Sequence, residues 1–205
     1  MQSKHSEIMS KAEQTRQFII ERTAPIFNKK GYFATSLSDI TTATGLTKGS
    51  IYGNFKDKDD LALHVYSYQS KKIADGVDQQ ITQQKTALKK LFAFFDFYKE
   101  NFKNIAASGG CPLMNAAIEA DDSLPFLTPK VRRSFTLWRQ RLISILEEGV
   151  KAGEFKQHIS AEHFAVTFMA MIEGGILLSK ISGRGKDLAI VLDNMKEMVD
   201  REIKI

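Results

Sequence analysis

Apolar residues recur at steps of three and four along most of this chain, and Ser, Thr, Asp, Gly and Pro punctuate the runs. The pattern predicts an all-α fold of about nine helices. Residues 1–9 read as a disordered arm. The first helix is expected to begin after Ser10 and reach about Lys30, burying Phe18, Ile19, Ile20, Ala24 and Phe27. Pro25 lies inside it, removes an amide donor and crowds the carbonyl of Glu21, so a kink is expected there, with a break as the alternative. Lys29 and Lys30 suit the negative end of the helix dipole, and Gly31 supplies the stop.

Residues 38–56 read as two short helices joined by a tight turn. Ser38 is expected to cap the first, Gly45 to end it, and Thr47 to cap a second running from Lys48 to about Phe55. Ile40, Ala43 and Leu46 then face Ile51 and Phe55, which locks the pair together. The outer face of the second helix carries Thr47, Lys48, Gly49, Ser50, Tyr52, Gly53 and Asn54, none of them a bulky aliphatic. Two glycines there cost about 1 kcal/mol each in helix stability relative to Ala, so close approach of a partner is the better reason for them. A helix, a Gly-containing turn and a second short helix form the arrangement whose second helix enters the major groove of DNA.

Downstream, Asp57 is expected to cap a helix from Lys58 to about residue 80 that carries Leu61, Leu63, Val65, Tyr66 and Ile73. A helix over 85–102 is dense in rings, with Phe94, Phe95 and Tyr98 either core or the wall of a pocket for an apolar molecule. Pro112 opens a short helix to about Ala120, preceded by Cys111. Thr128 and Pro129 open another, with Val131, Phe135, Trp138, Leu142, Ile145 and Leu146 inward and Arg132, Arg133, Arg139 and Arg141 on a face read as solvated. The last two helices span about Ser160–Ser182 and Lys186–Glu202. Phe168, Ile172, Gly175 and Ile176 mark one face of the former, and Leu188, Leu192, Met195 and Val199 recur along the latter.

Charge sharpens this picture. Of a formal +5, residues 1–56 hold eight Lys and Arg against four Asp and Glu, whereas the remainder is nearly balanced, as expected if the N-terminal segment neutralises phosphates. A single cysteine excludes an intrachain disulfide and suits a reducing, cytoplasmic setting. The N-terminus lacks the apolar core of a secretory signal, and the most apolar run, 164–178, is shorter than a membrane span and contains Glu173, so no membrane segment is expected. Cys111 reads either as a small buried thiol or as a sensor whose pKa the helix N-terminus lowers. Glu119, Asp121 and Asp122 read as a solvated helix end rather than a metal site, and His5, His64, His158 and His163 lack ligand spacing. Neither a metal nor a cofactor is expected.

The string GYFATSLSDITTATGLTKGSIYGNFKDKDDL, residues 31–61, resembles the DNA-binding signature of the tetracycline-repressor (TetR) family of bacterial transcription regulators. Gly31, Tyr32, Thr35, Ser36, Lys48, Gly49, Tyr52, Phe55, Lys58 and Leu61 stand at characteristic positions, while Gly53 stands where many members carry a large side chain. The resemblance implies a three-helix DNA-binding domain over 1–56 and a helical effector-binding and dimerisation domain over 57–205. It implies that Thr47, Lys48, Gly49, Ser50 and Asn54 face bases or nearby phosphates, with Thr35, Ser36, Tyr52, Lys56 and Lys58 holding the backbone. It also implies a homodimer joined through the last two helices at Phe168, Ile172, Gly175, Ile176, Leu188, Leu192, Met195 and Val199. A small hydrophobic or cationic effector would sit among Phe94, Phe95, Tyr98, Cys111, Met114, Trp138 and Phe168.

The leading expectation is thus a dimeric repressor released from a palindromic double-stranded operator by a small molecule. Two alternatives stay open: a constitutive DNA-binding dimer whose body is a filled core, and a small-molecule enzyme. The last is disfavoured because the sequence has neither a Gly-rich phosphate loop nor a nucleophile elbow.

Overall fold

Side-chain caps open six of the described helices, and buried apolar stripes seat them in the fold. The computed structural model describes residues 10–205, and the arm expected at 1–9 lies outside them. The described residues form α1 (Lys11–Lys30), α2 (Leu37–Thr44), α3 (Lys48–Tyr52), α4 (Lys58–Ile81), α5 (Ala87–Ala107), α6 (Pro112–Asp122), α7 (Thr128–Lys151), α8 (Ala161–Ser182) and α9 (Lys186–Met198), closed by a π-helical turn at Val199–Ile203. Ser10 caps α1 through a reciprocal box with Glu13, in which each side chain accepts the other's backbone N–H. The helix then runs unbroken through Pro25 to Lys30.

Several boundaries differ from the sequence reading: α5 runs on to Ala107 rather than Phe102, and three others have a local cause. Ser36, not Ser38, caps α2, because Asp39 stands three residues later and its carboxylate returns the bond to the Ser36 N–H at 2.9 Å. Lys30 also reaches Asp39 at 2.7 Å, which ties the end of α1 to the start of α2 and holds that carboxyl well below its usual range. The second boundary is the end of α3, which comes at Tyr52 rather than Phe55: the Asn54 and Phe55 amides both turn back to the Ile51 carbonyl at 3.0 Å. Third, α9 stops at Met198 because the final turn widens and docks on the 154–156 connector, where the Lys156 amide donates to the Ile203 carbonyl at 2.8 Å. Gly45 is left-handed at φ 69°, the conformation that lets α2 and α3 meet at a sharp turn.

Two apolar cores result. One joins Ile19, Phe27, Tyr32, Ile40, Ile51 and Phe55 to Leu61, Val65 and Tyr66 of α4, with Ala116, Ala120 and Val131 of α6 and α7 closing its far side. The other fills the space among α5, α7, α8 and α9. Residue 56 is therefore no boundary in the packing, since the first half of α4 belongs to the N-terminal core. Helix α8 has 22 residues and a mean hydropathy of 1.6, long and apolar enough to cross a membrane and longer than the run read from sequence. Here Ala165, Phe168, Ile172, Gly175 and Ile176 are buried against the chain's own helices. Gly175 is required there because an added methyl would come within 2.8 Å of Leu188 on α9.

Candidate nucleic-acid interface and internal chamber

The outward face of α3 is built by what lies beneath it. Ile51 and Phe55 are buried with Ile40, so Lys48, Gly49 and Tyr52 are driven to the exposed side. The Thr47 hydroxyl accepts the Ser50 amide at 3.2 Å, which satisfies one free amide of this five-residue helix. Lys48 leans over the Tyr52 ring at 5.9 Å. A side chain at Gly49 would meet nothing closer than the Thr47 hydroxyl at 3.9 Å, so the glycine is not demanded by packing inside the chain. Lys56 and Ser36 are exposed beside this face, and Asn54 is half-buried with its amide folded back on the Ser50 carbonyl at 2.9 Å.

Two residues assigned to phosphates are occupied otherwise. Thr35 is 0% exposed, and its hydroxyl donates to the Gly31 carbonyl at 2.6 Å. The Lys58 ammonium donates to the carbonyls of Tyr32, Phe33 and Thr35 at 3.3, 2.9 and 3.1 Å, so it closes the loop between α1 and α2 instead of standing free. Phe33, 69% exposed beside that loop, is a feature that spacing did not single out. Arg16 pins α3 from behind: it stacks on Phe55 at 4.4 Å, donates to the Asn54 carbonyl, and lies 2.6 Å from the His64 ring nitrogen. Burial, and after it the Arg16 charge, pushes the His64 imidazole below its ordinary pKa. His64 thus serves the N-terminal core rather than a ligand.

The reading surface is also held from the body. The Glu119 carboxylate on α6 accepts the Tyr32 and Phe33 amides at 2.9 and 2.8 Å. Asn115, one turn earlier, donates to the Asn28 carbonyl at 3.1 Å and to its side chain at 3.0 Å, while Asn28 donates to the Ser108 and Gly110 carbonyls. A residue read as a solvated helix end is therefore a clamp, and only the three-dimensional fold could reveal it, because its partners are amides 87 and 86 positions away.

Within the body a chamber of about 490 Å³ opens among α4, α5, α6 and α7. Phe94, Tyr98 and Trp138 line it as the sequence suggested, joined by Tyr66, Ile73, Val77 and Arg133, which were not singled out. Phe95 and Phe168 instead meet edge-to-face at 5.1 Å in the solid core, and Met114 packs half-buried against that core. The buried Tyr66 hydroxyl and Trp138 indole N–H have no hydrogen-bond partner. Ser134 lies beside Tyr66 and donates its own proton to the Lys130 carbonyl at 3.1 Å, which leaves its oxygen lone pairs as the one polar group near the phenol, short of a well-formed hydrogen bond. Among the described residues, no three His, Cys, Asp or Glu side chains gather as metal ligands would.

Cys111 does not line the chamber; its thiol donates to Glu173 at 3.0 Å in the interior. Burial, and the Glu173 charge after it, pushes the thiol well up, the opposite of the shift a sensor needs, which favours the buried-thiol reading. Burial also pushes Glu173 up to about 7. An acid whose folded pKa exceeds its unfolded value carries no penalty while both states are protonated. The unfolded chain gives up this proton first as pH rises, so the penalty grows from about pH 4.5 and is complete above about pH 7. Glu173→Gln is expected to raise stability by up to about 3 kcal/mol at pH 8 and by almost nothing near pH 4.5, read by thermal melts at the two pH values. A gain equal at both would contradict the burial argument.

The residues expected to join two subunits turn inward. Phe168, Ile172, Gly175, Ile176, Leu188, Leu192, Met195 and Val199 are all buried within one subunit. What α8 and α9 leave exposed is a different stripe, Val166, Leu177, Leu178 and Ile181 with Ile190, of which Ile181 is 79% exposed.

Comparison with known proteins agrees with this architecture. Residues 19–65 match the family described as bacterial regulatory proteins, tetR family, and residues 87–195 match the tetracyclin repressor-like C-terminal domain. A TetR transcriptional regulator of Chloroflexus aurantiacus J-10-FL superposes with a TM-score of 0.92 at 30% identity, covering 96% of this chain and all of that one. A TetR-family regulator of Cytophaga hutchinsonii gives 0.87 at 33% identity, over 97% of this chain and 99% of its own. The uncharacterized HTH-type transcriptional regulator YxaF of Bacillus subtilis is 24% identical across 95% of this chain and its own full length. The chain belongs to the tetracycline-repressor family of helix-turn-helix transcriptional regulators.

Proposed function

We propose that this regulator is a homodimeric repressor that grips a palindromic operator through α3 and lets go when a small molecule enters the chamber. The observation that carries this reading is the double membership of α4. Leu61, Val65 and Tyr66 pack in the reading head's core, while Tyr66, Ile73 and Val77 line the chamber, so a ligand there pushes on the helix that seats the head. Thr47, Lys48, Gly49, Ser50 and Tyr52 are the side of α3 offered to bases and phosphates, with Lys56 and Ser36 flanking. The half-sites would lie about one helical turn apart, one per subunit.

A gel shift with the DNA flanking its own gene, across a salt series, tests the core of this reading. Lys48→Ala is expected to weaken binding about tenfold and to lower the salt slope by about 2, about 1 for each subunit, with the melting temperature unchanged. Unaltered binding would remove Lys48 from the interface. The stripe of Leu177, Leu178, Ile181 and Ile190 is the surface that supports dimerisation, and Gly174, one turn before Leu177 and Leu178, has open space beside its backbone. Leu178→Arg combined with Ile181→Glu is expected to yield monomers by light scattering and to abolish the shift, while Leu192, buried inside the subunit, would report only on stability. Dimers persisting in the double variant would move the interface elsewhere.

A further inference from the structure

The chamber's polar atoms specify more than its size. Trp138 can only donate a hydrogen bond, and its buried N–H has no acceptor. Tyr66, its phenol pushed up to about 12 by burial, keeps its proton and has only the Ser134 hydroxyl beside it, without a well-formed bond. Four cations reach the lining. Lys71 and Arg141 are matched at 2.5 Å by Asp75 and Asp78, but Lys130 and Arg133, both solvent-exposed, carry no ion pair among the described residues. No carboxylate lines the space among those residues. Donors without acceptors and cations without counter-charges ask for the same ligand group, while the rings of Phe94, Tyr98 and Trp138 ask for an apolar body.

Resting on the sensing role proposed above, we infer that the effector is an apolar organic acid, its hydrocarbon part among these rings and its carboxylate near Trp138 and Tyr66, drawn by Lys130 and Arg133. A cationic effector, one of the two classes expected from sequence, would place its charge beside Lys130 and Arg133, which have no ion-pair partner among the described residues, and would offer Trp138 no anionic acceptor.

Trp138 is the chain's single tryptophan, so its emission reports directly on the site. The experiment titrates full-length protein with decanoate, decan-1-ol and decylamine, three probes sharing one tail. Decanoate is expected to bind at least about tenfold tighter than either of the others and to weaken the gel shift. Lys130→Gln with Arg133→Gln should bring decanoate to the level of decan-1-ol and leave decan-1-ol and the melting temperature unchanged. Trp138→Phe, followed by calorimetry, should lower decanoate affinity more than that of decan-1-ol. The proposal is overturned if decylamine binds as well as decanoate, if the preference survives the double substitution, or if none of the probes perturbs Trp138 up to about 1 mM. Failure of the regulator reading looks different: ligand-free protein would then give no shift on its flanking DNA, whatever the titration shows.

Discussion

Gly49→Gln is expected to reduce operator affinity by about 100-fold while leaving the fold intact or slightly firmer. Glycine in a helix is about 1 kcal/mol less favourable than a better helix former, and the space around Gly49 is open in the isolated subunit. Adding a side chain there should stabilise the head if the chain alone sets the constraint. The loss appears only if DNA occupies the space beside the α3 backbone, because a side chain then holds the helix away from the groove and weakens every contact at once. Gel shift and thermal melt on the same preparation separate the two effects. Affinity within about threefold of wild type would mean that α3 does not approach DNA at this point.

Glu119→Ala is expected to show the second large effect, destabilising the protein by about 1 to 3 kcal/mol and weakening DNA binding further than that loss alone implies. The carboxylate is the acceptor for two consecutive amides, of which that of Tyr32 is partly buried and cannot be fully recovered by water. These amides begin the loop that sets α2 against α1, so losing their acceptor loosens the angle of the head as well as lowering stability. Glu119→Gln keeps one acceptor and should fall between Ala and wild type. An Ala variant with a wild-type melt and a wild-type shift would show that the contact is incidental.

Much of the architecture was legible because helices announce themselves locally. Thr47 and Asp57 cap helices where the sequence put them, α8 begins beside Ser160 as expected, and the inward stripe of α7 is buried at Val131, Trp138, Leu142, Ile145 and Leu146. What stayed hidden depends on a second element. Thr35 and Lys58 looked free because their partners are backbone carbonyls of a loop, which leave no trace in residue identity. Arg133 is exposed, as its solvated-face reading expects, and only the arrival of α4 shows that it also borders the chamber. On α8 both faces are apolar, so periodicity could not say which side the chain covers for itself; the packing of Gly175 against Leu188 decides it. Cys111 illustrates the same limit, since its environment is set by Glu173, 62 positions away.

The shared core of α4 bears on how this protein can be divided. A fragment cut at residue 56 would forfeit Leu61, Val65 and Tyr66 along with the lid formed by Ala116, Ala120 and Val131. Grafting this DNA specificity onto another member's body is therefore not a matter of exchanging the first three helices: the transplant must carry the opening turns of the fourth, and the recipient must offer matching small residues where α6 and α7 cross it.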